Sequence, residues 1–139
     1  MKRLFITVIT LYAQTSIAQA IYSDANFLKL TNHLWNTCYL LKSLDANRIT
    51  HQGDIEKERQ TDIDILRKDA AITRRYYESI KAKYPNEKAQ LTQIKQWIDM
   101  TAKLPELLEG DSWQIEPTWA LGKELLRMDL QDVTNKKLK

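Results

Sequence analysis

The sequence is poor in the residues that give small proteins disulfides or metal sites. Cys38 is its single cysteine, so the chain cannot form an internal disulfide. Its two histidines are His33 and His51, and neither has a partner at metal-ligand spacing, because His33 and Cys38 point to different sides of a helix. The sequence therefore predicts no metal, no cofactor and a stability that comes from packing. For Cys38 it predicts a buried free thiol, and a disulfide between two chains is the alternative.

The patterns of common enzymes are also missing. The sequence has no Gly-x-Ser-x-Gly turn, no phosphate-binding glycine loop, no calcium loop and no haem-attachment pair. The acidic pair Asp62 and Asp64 is two residues apart on an expected helix, where such neighbours do not face each other. Glu109 and Asp111 flank Gly110 in an expected loop, and glycoside cleavage uses two carboxylates. A non-enzyme is the expectation, and a small cell-wall-cleaving enzyme is the least favoured alternative.

Glycine and proline are scarce, with three of each in 139 residues. An all-β fold needs frequent turns, and these residues are the usual turn formers. Their scarcity favours long helices.

The first 20 residues have the order of a secretory signal peptide. Lys2 and Arg3 give a positive start, Leu4 to Ala13 is mostly apolar, and Ala18-Gln19-Ala20 supplies small residues at a cleavage site. The apolar run is about half of the roughly 20 residues that cross a bilayer. We expect cleavage after Ala20, a single domain over residues 21–139, a periplasmic or secreted location, and no stable membrane insertion afterwards. A retained membrane anchor is the alternative.

Cleavage would remove the apparent basic character of the chain. The full sequence has 21 Lys and Arg against 18 Asp and Glu, and Lys2 and Arg3 belong to the signal peptide, which leaves a balance of +1. A nucleic-acid surface needs a basic patch or stripe. The one basic cluster, residues 136–139, is typical of a solvated chain end, so we expect no nucleic-acid partner.

Four segments repeat apolar residues at steps of three and four, the period of one helix face. The predicted helices run from about Asp24 to Leu44, from about Asp54 to Tyr84, from about Pro85 to Leu104, and from Pro117 or Thr118 to Val133. Short connections between amphipathic helices imply an antiparallel arrangement. The predicted fold is an all-α antiparallel bundle of about four helices.

Three details of this layout carry specific expectations. The polar stretch Ser43 to Gly53 is the predicted first connection. The second helix begins with the polar stretch Asp54 to Asp64, so either this part projects into solvent or the helix starts later. Pro105 is expected to end the third helix or to open a short extra turn, Glu106 to Glu109, before Gly110.

The fourth helix has apolar residues on more than one side. Leu121, Leu125, Met128 and Val133 share one side and are the predicted core face, while Leu126 and Leu130 are expected to widen it.

The segment Gly110 to Trp119 has no helical period and is the predicted contact loop. Trp113 and Trp119 bracket the polar residues Gln114 and Glu116, and tryptophan is enriched at binding hot spots. We expect at least one of the two indoles to reach a partner. The alternative is that both fold down to close the open end of the bundle.

Arg75 and Tyr76 on the second helix form a second predicted contact site, since an exposed Arg beside a Tyr can bind a protein surface.

Export, small size and missing chemistry together predict a protein that acts by contact. The leading interpretation is a monomeric or homodimeric helical bundle that binds a protein partner in the cell envelope, of the inhibitor or immunity type. The alternative is a periplasmic chaperone or an accessory subunit of an envelope or secretion assembly, which would hold clients along the long charged second helix.

Overall fold

A computed structural model describes residues 20–115 and 118–137. These residues form four long helices, α1 (Ala25–Thr50), α2 (Ile55–Lys83), α3 (Lys88–Glu109) and α4 (Thr118–Lys137), and a short helical stretch over residues 20–23. The predicted all-α bundle of about four helices is confirmed. The predicted signal peptide, apart from Ala20, lies outside the described residues.

The helices are arranged so that α1 packs against α2 and α4, and α3 packs against α2. An ion pair shows that α1 and α2 run antiparallel, because Asp24 at the start of α1 contacts Lys83 at the end of α2. The seam between α3 and α4 is the least closely packed of the four. In this seam the indole Nε1 of Trp97 donates to Asp129 Oδ2 at 3.1 Å.

The core consists of two apolar clusters stacked along the bundle. The first core cluster includes Ile21, Phe27, Leu34, Tyr77, Ile94, Trp97, Leu126 and Leu130. The second core cluster consists of Leu41, Leu44, Ile63, Leu66, Leu104, Leu108, Trp113 and Trp119.

The residues just before α1 belong to the first core cluster. Ile21 is fully buried, and Asp24, which follows it, caps α1 by accepting from the amide of Asn26 at 2.8 Å. Asp24 Oδ2 also accepts from Lys83 Nζ at 2.8 Å and from the Tyr84 hydroxyl at 3.2 Å. These bonds tie the start of the described chain to the end of α2.

The first connection is shorter than predicted. Helix α1 continues to Thr50 instead of ending near Leu44, and the turn comprises only residues 51–54. His51 ends α1 in the left-handed region with φ 53°, and its amide donates to Asn47 O. The polar residues after Leu44 stay helical because they bond to their neighbours, as Arg48 does to Asp45 at 2.7 Å.

The start of α2 neither projects into solvent nor begins late, so both expectations were wrong. Asp54 caps the helix through the amide of Lys57 at 3.1 Å. Glu58 accepts from Ser43 Oγ at 3.1 Å and from Asn47 Nδ2 at 2.8 Å, both on α1. The polar residues of this stretch therefore hold α2 to its neighbour through hydrogen bonds where apolar residues are few.

Helix α3 runs through Pro105 to Glu109, whereas the sequence predicted an end or a new turn there. Proline in a helix interior removes one hydrogen bond and costs about 3 kcal/mol. Leu104 and Leu108, on either side of Pro105, are both buried. The burial of each leucine stabilises the last turn by about 1.5–3 kcal/mol, and this gain offsets the cost of the proline.

Helix α4 presents the opposite face from the one predicted. Leu126 and Leu130 are fully buried, whereas Leu121, Leu125 and Met128 are 64%, 51% and 55% exposed. Val133 is buried as predicted, together with Trp119 and the stem of Lys123. The Lys123 ammonium reaches Glu124 Oε1 at 3.2 Å and Asp45 Oδ2 at 3.8 Å. A lysine with an apolar stem can thus occupy a core-facing position.

No helix within the described residues is long and apolar enough to cross a membrane.

Candidate protein-binding surface

The two tryptophans of the predicted contact loop lie inside the bundle. Trp113 is 5% exposed and Trp119 is 0% exposed, and their ring centroids are 6.3 Å apart. Trp119 Nε1 donates to Trp113 O at 2.9 Å, and the guanidinium of Arg59 lies 5.3 Å from the Trp113 ring centroid. Both indoles close the end of the bundle, which corrects the expectation that one of them stands exposed for a partner.

The surface of this loop includes one predicted contact residue, Gln114, and one residue outside the prediction, Ile115. Gln114 is exposed, and its carbonyl accepts from Arg48 Nη1 at 2.9 Å. Ile115 is 82% exposed. Glu116 lies outside the described residues. The described part of the loop therefore combines several exposed polar side chains with one exposed apolar side chain.

Arg75 and Tyr76 do not share a surface with that loop. Arg75 is exposed, while Tyr76 is partly buried with its ring centroid 6.0 Å from that of His33. His33 Nδ1 lies 3.1 Å from Asp69 Oδ1. Along α2, Tyr76 is 17 residues, or about 25 Å, from Arg59, which contacts Trp113. The structure thus separates the two predicted contact sites by most of a helix length.

A different surface has the properties of a contact site, and we call it the α3–α4 face. Leu121, Leu125 and Met128 are spaced by four and three residues, so they line one side of α4. Leu107 on α3 is 41% exposed. Between the two helices lies an open groove of about 300 Å³ whose lining includes Leu107 and Gly122. Of the four exposed apolar side chains, Leu107 lines this groove, and Leu121, Leu125 and Met128 lie along α4, the helix that contributes Gly122 to the groove.

The α4 side of this groove is lined by a glycine, Gly122. A Cβ atom added at Gly122 would lie 3.9 Å from both Leu104 Cδ2 and Met100 Sδ, which is ordinary van der Waals distance. A larger side chain at this position would fill the space that now separates α3 from α4. One feature of the sequence indicated an exposed apolar face, because α4 has more apolar residues than a single core-facing stripe of a helix holds.

A second groove lies on the other side of α3. Its volume is about 660 Å³, and it runs between the end of α2 and the first half of α3. Tyr77, Ala82, Pro85 and Leu91 supply its apolar surface, and lysines stand on its rim.

Two buried titratable groups, Cys38 and Asp62, have pKa values above their ordinary ones. Burial raises the pKa of the Cys38 thiol to about 11, and its Sγ lies 3.9 Å from Lys123 O. A thiol with a high pKa is a poor nucleophile. Burial, with the nearby charge of Glu58, raises the pKa of Asp62 to about 7. Among the described residues no group of three His, Cys, Asp or Glu side chains is placed to hold a metal ion.

The carboxylates of the enzyme alternative are both on the surface. Glu109 and Asp111 are exposed, and the carboxylate of Glu109 is engaged by the guanidinium of Arg67. They border a shallow cavity of about 370 Å³ together with Glu56 and Arg59.

Comparisons with known proteins leave the chain without an assigned relative. No protein-family model, no curated protein sequence and no solved structure matches it significantly.

Proposed function

We propose that the chain is a small exported protein that acts by binding a protein partner in the cell envelope, in the manner of an inhibitor or immunity protein. The contact surface in this proposal is the α3–α4 face. Export is supported by the N-terminal 20 residues, with their basic start, short apolar run and small residues before the cleavage point.

The observation that carries the proposal is the exposure of Leu121, Leu125 and Met128 along one side of α4. Soluble proteins rarely leave neighbouring large apolar side chains in water, and such patches mark interaction sites. Fully burying a leucine or methionine gains about 1.5–3 kcal/mol, so three of them provide enough gross energy for a specific contact. Helix α4 is 20 residues long, about 30 Å, which suits an interface of ordinary size.

The test compares two double variants of the mature chain. Leu121→Gln/Leu125→Gln removes the apolar surface of α4, and Tyr39→Gln/Ile49→Gln removes two side chains on α1 that are 65% and 62% exposed. Partners captured from envelope extract would be identified by mass spectrometry, purified and titrated calorimetrically against each variant. We expect the α4 variant to bind about 100-fold more weakly and the α1 variant to match wild type.

Equal affinity of the α4 variant and wild type would refute the proposal for this face. Sedimentation of the same proteins without a partner tests self-association, because a homodimer through the α3–α4 face would dissociate in the α4 variant alone. The titrations also separate an inhibitor, which has one tight partner, from a chaperone, which binds many proteins weakly and in a salt-sensitive way.

A further inference from the structure

The groove between α2 and α3 combines an apolar floor with a basic rim. Tyr77 and Leu91 at its floor are buried, and Ala82 and Pro85 leave space because their side chains are small. The residues of α3 that line it run from Lys88 to Asp99, a length of about 16 Å, or three helical turns. The groove is open to solvent along this length.

Basic side chains outnumber acidic ones around this groove. Lys81, Lys88 and Lys95 line it together with Glu78 and Asp99, and Arg74 is close enough to act on the charge of Lys95. Lys95 Nζ is already paired with Asp99 Oδ2 at 2.7 Å.

Two of the three lysines that line the groove lack an ion-pair partner among the described residues. Within the part of the chain that the structure describes, neither Lys81 nor Lys88 forms an ion pair. Glu78 is the one acidic side chain of the lining that is not engaged by Lys95. The rim is therefore complementary to a ligand that brings negative charges beside an apolar surface.

The shape of the groove favours a helix over a small molecule. A third helix packs naturally along the furrow between two antiparallel helices, at interaxial distances of about 8–10 Å. A small ligand would keep much of its surface in water in so open a site, whereas well-formed ligand pockets bury most of theirs. An amphipathic helix presents apolar side chains to a groove and polar ones to its rim.

We propose that the α2–α3 groove binds an acidic amphipathic helical segment of a partner protein. The apolar side chains of that helix lie over Tyr77, Ala82 and Leu91, and its carboxylates pair with Lys81 and Lys88. This inference rests on the proposed function, action through protein binding, and adds a second surface with a defined partner chemistry.

The probe for the test is a fluorescein-labelled peptide of about 14 residues, which spans about 20 Å as a helix. It carries leucines on one face and glutamates on the flanks, and a matched peptide has glutamine in place of every glutamate. Fluorescence anisotropy at low salt measures binding to the mature chain. We expect the glutamate peptide to bind at least about tenfold more tightly than the glutamine peptide.

Two variants separate docking in the groove from simple charge attraction. Ala82→Arg adds a positive charge but fills the groove, and Ala71→Arg adds the same charge three turns earlier on α2, outside the groove. We expect Ala82→Arg to weaken binding at least about tenfold and Ala71→Arg to leave it equal or slightly tighter. Lys81→Gln/Lys88→Gln should weaken binding about tenfold and reduce its dependence on salt.

Binding of the peptide to Ala82→Arg as tightly as to wild type would overturn the inference, and so would indifference to the loss of Lys81 and Lys88. Vesicles of phosphatidylglycerol and phosphatidylcholine test the alternative ligand, a lipid surface. If they bind wild type but not Ala82→Arg while the peptide does not bind, the groove is a lipid site and the inference fails. The proposed function fails separately, when partner capture is indifferent to Leu121→Gln/Leu125→Gln.

Discussion

Replacing Asp62 by asparagine should stabilise the folded protein, and the gain should grow with pH. Asp62 is 3% exposed on α2, one turn after Glu58. Its Oδ2 atom is the buried side-chain oxygen that finds no hydrogen-bond partner among the described residues. An ionised carboxylate in this position has lost water without gaining a partner, which is costly.

The direction and size of the effect follow from the pKa of Asp62. Burial, and then the charge of Glu58, raises this pKa from its ordinary value of 3.8 to about 7. The folded state therefore binds more protons than the unfolded state between these two pH values, so stability falls as pH rises through this window and is level above it. At about 1.4 kcal/mol per pH unit the loss is on the order of 4 kcal/mol.

The assay is urea unfolding of wild type and Asp62→Asn, followed by tryptophan fluorescence at about pH 4 and about pH 8. The asparagine amide is also buried, which adds an offset that does not depend on pH. The difference in unfolding free energy between the two proteins should therefore rise by several kcal/mol from the lower to the higher pH. Asp64→Asn, at an exposed position two residues later, is the control and should show little change.

A stability difference between Asp62→Asn and wild type that is the same at both pH values would refute this reasoning. It would mean that Asp62 is equally ionised in the folded and unfolded states, and that its burial is relieved by water or by movement of α2.

Three further outcomes follow from the core and the helix ends. Trp119→Ala should cost about 3–5 kcal/mol in the free energy of unfolding because this indole is fully buried, whereas Gln114→Ala should be nearly neutral by the same urea titration. The Cys38 thiol should react with Ellman's reagent only when the protein unfolds, and rapid reaction of native protein would contradict its burial. Asp24→Ala should cost about 1 kcal/mol as a lost cap. The hydrogen bond from Lys83 lowers the pKa of Asp24, so this contribution should disappear as acid protonates Asp24 below pH 3.8.

The fold could be predicted because the sequence signals that indicate a helix are local. The period of apolar residues and the capping residues Asp24 and Asp54 are properties of short segments, and they placed α2 within one residue at each end. The end of α1 was misjudged because its last two turns are polar. Their helical state is supported by a local bond, from Arg48 to Asp45, and by hydrogen bonds to Glu58. Glu58 belongs to another helix, so a single segment does not show this second support.

The exposed face of α4 was harder to predict because exposure depends on how helices are paired. On α4 the exposed stripe of Leu121, Leu125 and Met128 follows steps of four and three residues. The buried stripe has the same steps and consists of Trp119, Lys123, Leu126 and Leu130. The lysine made the true core face look polar. Its ammonium reaches the edge beside Asp45, and that position follows only from the packing of α4 on α1.

Under the proposed export, the burial of Ile21 implies an order of events. Under the proposed cleavage after Ala20, the scissile bond leads directly into a residue that is fully enclosed by the first core cluster. A protease must hold the residues on both sides of its target bond in an extended form, which a packed side chain does not allow. Under this proposal we expect processing to precede folding, because a precursor that folded first would protect its own leader from removal. Ile21 would then be both the first residue of the mature protein and a part of its core.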